Sequence, residues 1–536
     1  MRLLFGLVFF FGLTLYTAAQ TNSVPYKNMS LIKIHSSNQE LSDSLLKFNV
    51  VPISCRGGFL ESELIVDSVT LHWLNKKRVP FSILHQNVEE MIDAEMTHIK
   101  KIKNQRSSNW YSVYRELYEI EEKIDELVAQ SDIVTKTIIG QSYEGRDILG
   151  IKIGVDDDIE DKPAIFINGC QHAREWITPM ATTYLMHMLS EQYVTSNEVN
   201  TFLNAVDVHI VPIVNPDGYV YTWEENRWWR KNRQPNIGNN CVGTDLNRNW
   251  DIDWNGGQST SEDPCSYIYV GTEPFSAPET QIVSDYISSI PNLVSHIDIH
   301  SYSALIVAPW GFVDEPTEDN DEIFCLGTEM QFAVSNTNDY PYVFGTGTVN
   351  DMLYLVSGGM LDWTYSSFNS LSYLYELRPQ KPICGWPGVE PEYDCNSQLL
   401  AAFDNDEEEI LETCEEFYQG FLEMLKWAYF ANCVVSTGCS DPEAENYYCN
   451  TPEGNMGCLL DFVYYDLDND SIIYVYDDLP LGFIDDGSCI YSVDIEENQQ
   501  NNSIIKTFDI LGREINPKGL CIQVYDDGKV AKTYIY

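Results

Sequence analysis

From about residue 107 to 432, apolar runs of strand length alternate with amphipathic stretches. Residues 164–168, 206–214, 295–301 and 371–377 are short and rich in β-branched and aromatic side chains, which predicts strands. Helices are predicted to begin at Thr178-Pro179 and Ala277-Pro278, because proline is tolerated in a first helical turn. A last helix is predicted over about 404–431; it opens with DNDEEEI, and carboxylates suit the positive end of a helix. This alternation is long enough for one large α/β domain.

The flanking zones read differently. Residues 20–106 carry short apolar runs at 31–34, 64–69 and 81–84 between helical patterns, then the basic stretch HIKKIKNQR. A small α+β unit ending in a cleavable connector is expected there, with an ordinary linker as the alternative. Residues 433–491 hold twelve acidic residues, no lysine or arginine, and five cysteines (Cys433, Cys439, Cys449, Cys458, Cys489), which predicts a disulfide-stapled acidic module. Within it Asp466, Asp468, Asp470 and Asp477 fall at positions one, three, five and twelve of a calcium-loop spacing. Ser471 and Asp477 depart from that pattern, where glycine and glutamate are usual, so Ca2+ is only a secondary expectation beside the principal cofactor. Residues 492–536 begin with an Asn/Gln-rich linker and end in strand-like alternation.

The first twenty residues hold one cation, Arg2, an apolar run from 3 to 16, and small residues before Gln20. That is the pattern of a secretory signal cut after Ala19. The run is too short to span a bilayer and no later stretch is longer, so no transmembrane segment is expected. An exported chain accounts for 14 cysteines, since thiols pair in oxidising compartments. Removal of both ends would take away Cys55 and Cys521 and leave an even number, consistent with full pairing.

Composition narrows the functional classes. The 536 residues are 44% hydrophobic and 12% aromatic, which excludes a disordered chain. Asp and Glu number 81 against 32 Lys and Arg, a net charge of −49 that repels phosphate backbones and excludes nucleic acid as a partner.

Candidate chemistry lies in three separated segments. In FINGCQHAREWITP, His172 and Glu175 stand three apart beyond a predicted strand; three residues is nearly one helical turn, so both side chains can face one point. In SHIDIHSYS, His300 ends a predicted strand, where ligands collect in open α/β sheets. Two histidines and one glutamate form a catalytic zinc site with one position left for water. In SYLYELRP, Glu376 falls inside an apolar strand beside Tyr373, Tyr375 and Tyr365, a costly place for a carboxylate unless it serves as a general base. Pairing of Glu376 with Arg378 is the competing explanation. His209 and His296 have no partner motif and read as structural. Between these segments, ENRWWRKNRQPNIGNNCVGTDLNRNW concentrates arginines in an arginine-poor chain, which calls for an anionic ligand such as a substrate carboxylate.

These segments, in this order, resemble the zinc metallocarboxypeptidases of the carboxypeptidase A/B family over about residues 24–431. The resemblance implies a mixed central sheet flanked by helices, one Zn2+ on His172, Glu175 and His300, and water activated by Glu376. It implies that Arg230 stabilises the oxyanion. Asn247, Arg248 and Tyr354 would bind the terminal carboxylate of the substrate, Arg174 and Tyr302 would line neighbouring subsites, and Cys241 and Cys265 would form a disulfide. Leu361 stands at the base of the side-chain pocket, where members that cut after basic residues carry aspartate; it implies apolar or aromatic C-terminal residues, and Val349, Val356 and Leu374 narrow the pocket toward aliphatic ones.

The same resemblance divides the chain into a signal (1–19), an activation propeptide (20–106) opened by an activating protease, a catalytic domain (107–432), the acidic cysteine-rich module (433–491) and a tail (492–536). The tail resembles the sorting domain of type IX secretion, which implies that machinery as a partner and a bacterial protein that is secreted or attached to the cell surface. The expected function is a secreted zymogen of a carboxypeptidase acting on peptide or protein C-termini. The alternatives are a cell-wall peptidase or amidase of the same superfamily, or a surface binding protein with a vestigial peptidase domain.

Overall fold

The computed structural model describes residues 26–35, 41, 44–45, 48, 50–52, 63–105, 109–155, 162–257, 259–338, 340–345, 354–379 and 407–430, and short strands without their side chains between 437 and 535. The expected signal, the side chains of the acidic module and of the tail, Cys55, Arg106 and Val349 lie outside the described residues.

The N-terminal unit consists of β1 (Ser30–Ile34), β2 (Val50–Pro52), β3 (Glu63–Val66), α1 (Ser68–Lys77), β4 (Phe81–His85) and α2 (Val88–Lys103). Its strands form an antiparallel sheet in the order β2-β3-β1-β4. Successive side chains of a strand point to opposite faces, and here both faces are covered. Ile32, Leu64 and Val66 pack with Leu74 of α1, while Leu31, Val51 and Ile65 pack with Met29, Val88 and Trp228. Two-sided burial is why β1 and β3 read as continuous apolar runs.

The large domain adds α3 (Leu117–Gln130), β5 (Val134–Gln141), β6 (Asp147–Ile153), β7 (Ala164–Gly169), α4 (Ile177–Thr195), α5 (Asn197–Ala205), β8 (Asp207–Val211) and α6 (Pro216–Glu224). It continues with α7 (Pro278–Ser288), β9 (Leu293–Ser301), β10 (Leu305–Val307), α8 (Asn320–Thr337), β11 (Val343–Gly345), α9 (Met360–Phe368), β12 (Leu371–Leu377) and α10 (Glu407–Phe430). The eight-stranded sheet has the order β11-β10-β12-β9-β7-β8-β6-β5. Its centre, β12-β9-β7-β8, is parallel, and antiparallel pairs flank it, so the sheet is mixed as expected. Alternation along β7 divides the core: Ile165 and Ile167 face α4 and α10, while Ala164 and Phe166 face Val283 and Ile287 of α7 and Trp363 of α9. The carboxyl ends of β7, β9 and β12 therefore open side by side on one edge.

Predicted and observed elements differ in instructive places. The strand expected over 206–214 stops at Val211, because the Asn215 side chain accepts the Gly218 N–H (2.9 Å) and caps α6. The hairpin β5–β6 and the three-residue strands β10 and β11 had no counterpart in the expectation; β5 is largely exposed and β11 half-buried, so neither carries an apolar run. Full cysteine pairing fails at Cys170 and Cys414, both free and fully buried, each walled in by the main core. The expected bond between Cys241 and Cys265 is present. Among the described residues no helix is long and apolar enough to cross a membrane.

The N-terminal unit is bound to the large domain by more than apolar contact. Ile99 of α2 enters the main core. Glu95, 4% exposed, takes two bonds from Arg227 (3.0 and 3.2 Å), whose guanidinium stacks on Trp176 at 3.5 Å. The Arg174 guanidinium donates to the Pro52 carbonyl (3.1 Å), and Tyr26 donates to Asn226 while its ring packs edge-on against Trp228. Removing one member of a buried ion pair strands the other, at a cost of about 3–5 kcal/mol. Glu95→Ala should therefore lower the urea stability of the full chain by that order; a loss below about 1 kcal/mol would show that Arg227 is satisfied without Glu95.

Candidate metal centre and active site

His172 and Glu175 lie in the loop between β7 and α4. The Glu175 N–H donates to the His172 carbonyl (3.2 Å), so a tight turn, and not the helical turn expected from the spacing, brings the two side chains together. His172 Nδ1 is 2.9 Å from Glu175 Oε1. His300, next to last in β9, places its Nδ1 3.0 Å from His172 Nδ1 and 3.2 Å from Glu175 Oε2. One donor atom from each residue lies within 4.8 Å of the others, and all three residues are buried.

The outer ring nitrogens explain what the inner ones face. His172 Nε2 lies 3.1 Å from Asp245 Oδ1, and His300 Nε2 lies 2.9 Å from Asp298 Oδ2. Carboxylates at Nε2 keep the proton there, which leaves a lone pair on each Nδ1. Two lone pairs and a carboxylate then converge on one point, an arrangement suited to a cation. Two nitrogens and one oxygen with a position to spare is the donor set of a catalytic zinc.

Glu376 of β12 stands opposite His300 of β9 in parallel register. It is 9% exposed, and burial, reinforced by the neighbouring Glu175, pushes its pKa up to about 8 against the pull of His300 and Arg230. The competing pairing with Arg378 does not occur: that guanidinium is occupied by Glu416, Glu409 and Glu412 at 2.9–3.0 Å.

The arginine-rich segment divides among several duties. Arg230 binds Asp245 (3.0 and 3.1 Å) and lies 4.0 Å from Glu175. Burial pushes the Asp245 carboxyl up, but Arg230 and His172 outweigh it and hold its pKa well below the usual range. Arg248, 2% exposed, donates from Nε to the Ser259 carbonyl (2.8 Å) and from Nη1 to the Asn247 carbonyl (2.7 Å), while its buried Nη2 has no partner. Asn247 is fixed by the Met360 N–H on its Oδ1 (2.9 Å), and its Nδ2 lies 3.1 Å from His300 Nε2. Gly358 holds the adjoining chain close at φ +71°; a Cβ there would meet the Arg248 carbonyl oxygen at 2.5 Å. Arg227 and Arg233 do not contribute to an anion site: the first binds Glu95, and the second stacks on Tyr221 and Trp229.

These groups share one open pocket of about 470 Å3, lined by His172, His300, Arg230, Asn247, Arg248, Tyr354 and Glu376 on its polar side. Leu361, Val356 and Leu374 form its apolar wall and pack with Leu305 and Val307. Arg174 and Tyr302 do not line this pocket; Arg174 is held by Pro52, and Tyr302 follows Ser301 beyond β9. Asp362, next to Leu361, accepts the Gly311 N–H at 2.8 and 3.0 Å, and burial raises its pKa to about 7.

Sequence reasoning overlooked Asp245, Asp298, Gln171 and Asp362. The signal for Asp298 was present: it stands two residues before His300 in an apolar strand, hence on the same face, and the argument applied to Glu376 applies to it equally.

Residues 120–420 match the sequence profile of the zinc carboxypeptidase family, peptidase M14. Carboxypeptidase B2 of Bos taurus is 36% identical over 316 residues, 58% of this chain and 74% of that protein. A zinc carboxypeptidase of Simulium vittatum is 36% identical over 280 residues, 52% of this chain and 88% of that protein. The crystal structure of thrombin activatable fibrinolysis inhibitor superposes with a TM-score of 0.64 at 30% identity and covers 75% of this chain and 99% of its own.

The raised pKa of Asp362 gives a stability signature. A folded pKa of about 7 against 3.8 in the unfolded chain means the folded state holds the extra proton, so stability is lost as pH rises across that interval. The urea midpoint of Asp362→Asn should therefore gain on that of the unsubstituted protein between about pH 4 and 7 and level off above. A difference that is flat with pH would mean that Asp362 ionises like an exposed carboxyl.

Proposed function

Because the chain belongs to the zinc carboxypeptidase family, it is a metal-dependent hydrolase of peptide C-termini, and we propose how its residues divide that work and what it cuts. The observation that carries the reading is the single pocket in which Arg248, the apolar wall around Leu361, Glu376 and two metal-facing histidines meet. His172, Glu175 and His300 would hold zinc, which supplies an acidified water and a polarising charge. Glu376 accepts the proton of the attacking water and delivers it to the departing amine nitrogen; its raised pKa suits a group that must take and return a proton near neutrality. Arg230 faces the oxygen on which negative charge develops.

The unpartnered Nη2 of Arg248, with Asn247 and Tyr354, binds the free α-carboxylate, so the enzyme is an exopeptidase. Leu361, Val356 and Leu374 receive the side chain of the last residue, and this apolar wall favours aliphatic over basic and over large aromatic residues. Arg174 and Tyr302, off the pocket, are assigned to the residues preceding the cleaved bond.

Residues 20–106 act as an activation segment. Support comes from the Arg174–Pro52 contact and the buried Glu95–Arg227 pair, which occupy guanidinium groups beside the site, and from the basic stretch that follows α2. Residues 1–19 and the tail at 492–536 direct secretion, the latter by the type IX route.

The test is hydrolysis of blocked dipeptides ending in Leu, Phe or Arg, before and after limited tryptic cleavage of the connector. Release of Leu ahead of Phe, abolished by a zinc chelator and reduced about 10²–10⁴-fold in Glu376→Gln, is expected. Release of Arg would refute the Leu361 assignment while keeping the mechanism. No release from a folded, zinc-loaded protein would favour a cell-wall substrate or a binding role. Arg248→Ala should raise KM by roughly tenfold or more for free peptides and leave the weak hydrolysis of C-terminal amides unchanged, since the amide offers no charge to bind.

A further inference from the structure

Asp298 is a fully buried carboxylate that the mechanism does not use. It receives four contacts. Asn168 Nδ2 lies 2.6 Å from Oδ1, Gln171 Nε2 lies 2.8 Å from each oxygen, and His300 Nε2 lies 2.9 Å from Oδ2. The donors are themselves fixed. Trp250 Nε1 donates to Gln171 Oε1 (3.1 Å), and His296 Nε2 lies 2.8 Å from Asn168 Oδ1. All of these side chains are fully buried or nearly so.

The contrast with Asp245 is informative. Asp245 is charge-compensated by Arg230, whereas among the described residues no lysine or arginine reaches Asp298. A buried carboxylate without a cationic partner is strongly unfavourable. The one positively polarised group that meets it is the Nε2 edge of the His300 ring, whose other nitrogen faces the converging metal donors.

We propose that Asp298, held by Gln171 and Asn168, is the positioning residue of His300 and the second of two buried carboxylates that set metal affinity, the counterpart of Asp245 on His172. Its hydrogen bond fixes the ring so that Nδ1 points into the donor cluster. Asn168 and Gln171, on the strand end and loop that also deliver His172, tie the two histidine ligands to one rigid frame. The inference rests on the zinc reading of His172, Glu175 and His300.

The experiment measures zinc affinity by competition with a chromogenic chelator, the visible spectrum of the cobalt-substituted protein, and the melting temperatures of zinc-loaded and metal-stripped full-length protein. In Asp298→Asn, zinc affinity should fall ~10–100-fold, the cobalt spectrum should shift, and the gap between loaded and stripped melting temperatures should narrow, because zinc held more weakly stabilises the folded chain less. Unchanged affinity, or equal losses in both melting temperatures, would overturn the inference. Should Asp298→Asn not fold, Gln171→Met keeps the charge and releases the carboxylate from two bonds. It should still shift the cobalt spectrum and weaken zinc, and an unaltered spectrum and affinity would overturn the proposal. Absence of zinc binding by the unsubstituted protein would sink the metal reading itself, and this inference with it.

Discussion

Buried carboxyl groups at the ends of three strands are the constraint on which the rest of this structure depends. Glu175, Asp245, Asp298 and Glu376 are each 9% exposed or less, and they surround two imidazoles. Taking such groups out of water costs several kcal/mol per ion unless each finds a compensating charge. Arg230 serves Asp245 and reaches toward Glu175. A cation held at the point where the two Nδ1 atoms and Glu175 converge would offset the remaining charge. The strand order follows the same logic. Only adjacent, parallel β7, β9 and β12 deliver His172, His300 and Glu376 to one edge, and the parallel register sets Glu376 directly beside His300.

The N-terminal unit is joined to this domain by the chemistry that the site offers a peptide. A backbone carbonyl lies on Arg174, a carboxylate lies on Arg227, and an aromatic ring covers Trp228. Because Ile99 of α2 is part of the main core, the unit is anchored along that helix, by its ion pair near the middle and by apolar burial one turn beyond it. Docking of the unit is thus carried by the same few side chains that occupy two guanidinium groups of the large domain.

Much of the fold was legible because the buried central strands are short runs rich in β-branched and aromatic residues; the strand expected over 371–377 coincides with β12. The largely exposed β5 carries no such run, and β10 and β11 are only three residues long and pair with each other across α8. His172, Glu175, His300 and Glu376 were legible through their motifs, and the structure brings all four together. The geometry joining the first two was not, because a three-residue spacing serves a helix and a turn alike. The arginine-rich segment misled in part: stacking on Trp176 absorbs Arg227 and stacking on Tyr221 and Trp229 absorbs Arg233, and of these rings only Trp176 lies far away in sequence. Cysteine parity misled too, since Cys170 and Cys414 are small core residues with no disulfide partner among the described residues.

The pocket floor shows how two adjacent residues come to opposite ends. Leu361 and Asp362 both lie in the first turn of α9, where neighbouring side chains diverge by about 100°. Leu361 joins the apolar wall with Leu305 and Val307, while Asp362 is turned to the Gly311 N–H and held there by both oxygens. Burial keeps that carboxyl close to neutral, so an acid at the edge of the pocket does not become a site for a cationic side chain. Under the proposed role of Leu361, selectivity then rests on the shape of the apolar wall. Walls of this kind separate neighbouring aliphatic residues by only about 1–3 kcal/mol per methylene, so exclusion of charge is sharp and discrimination by size is gradual.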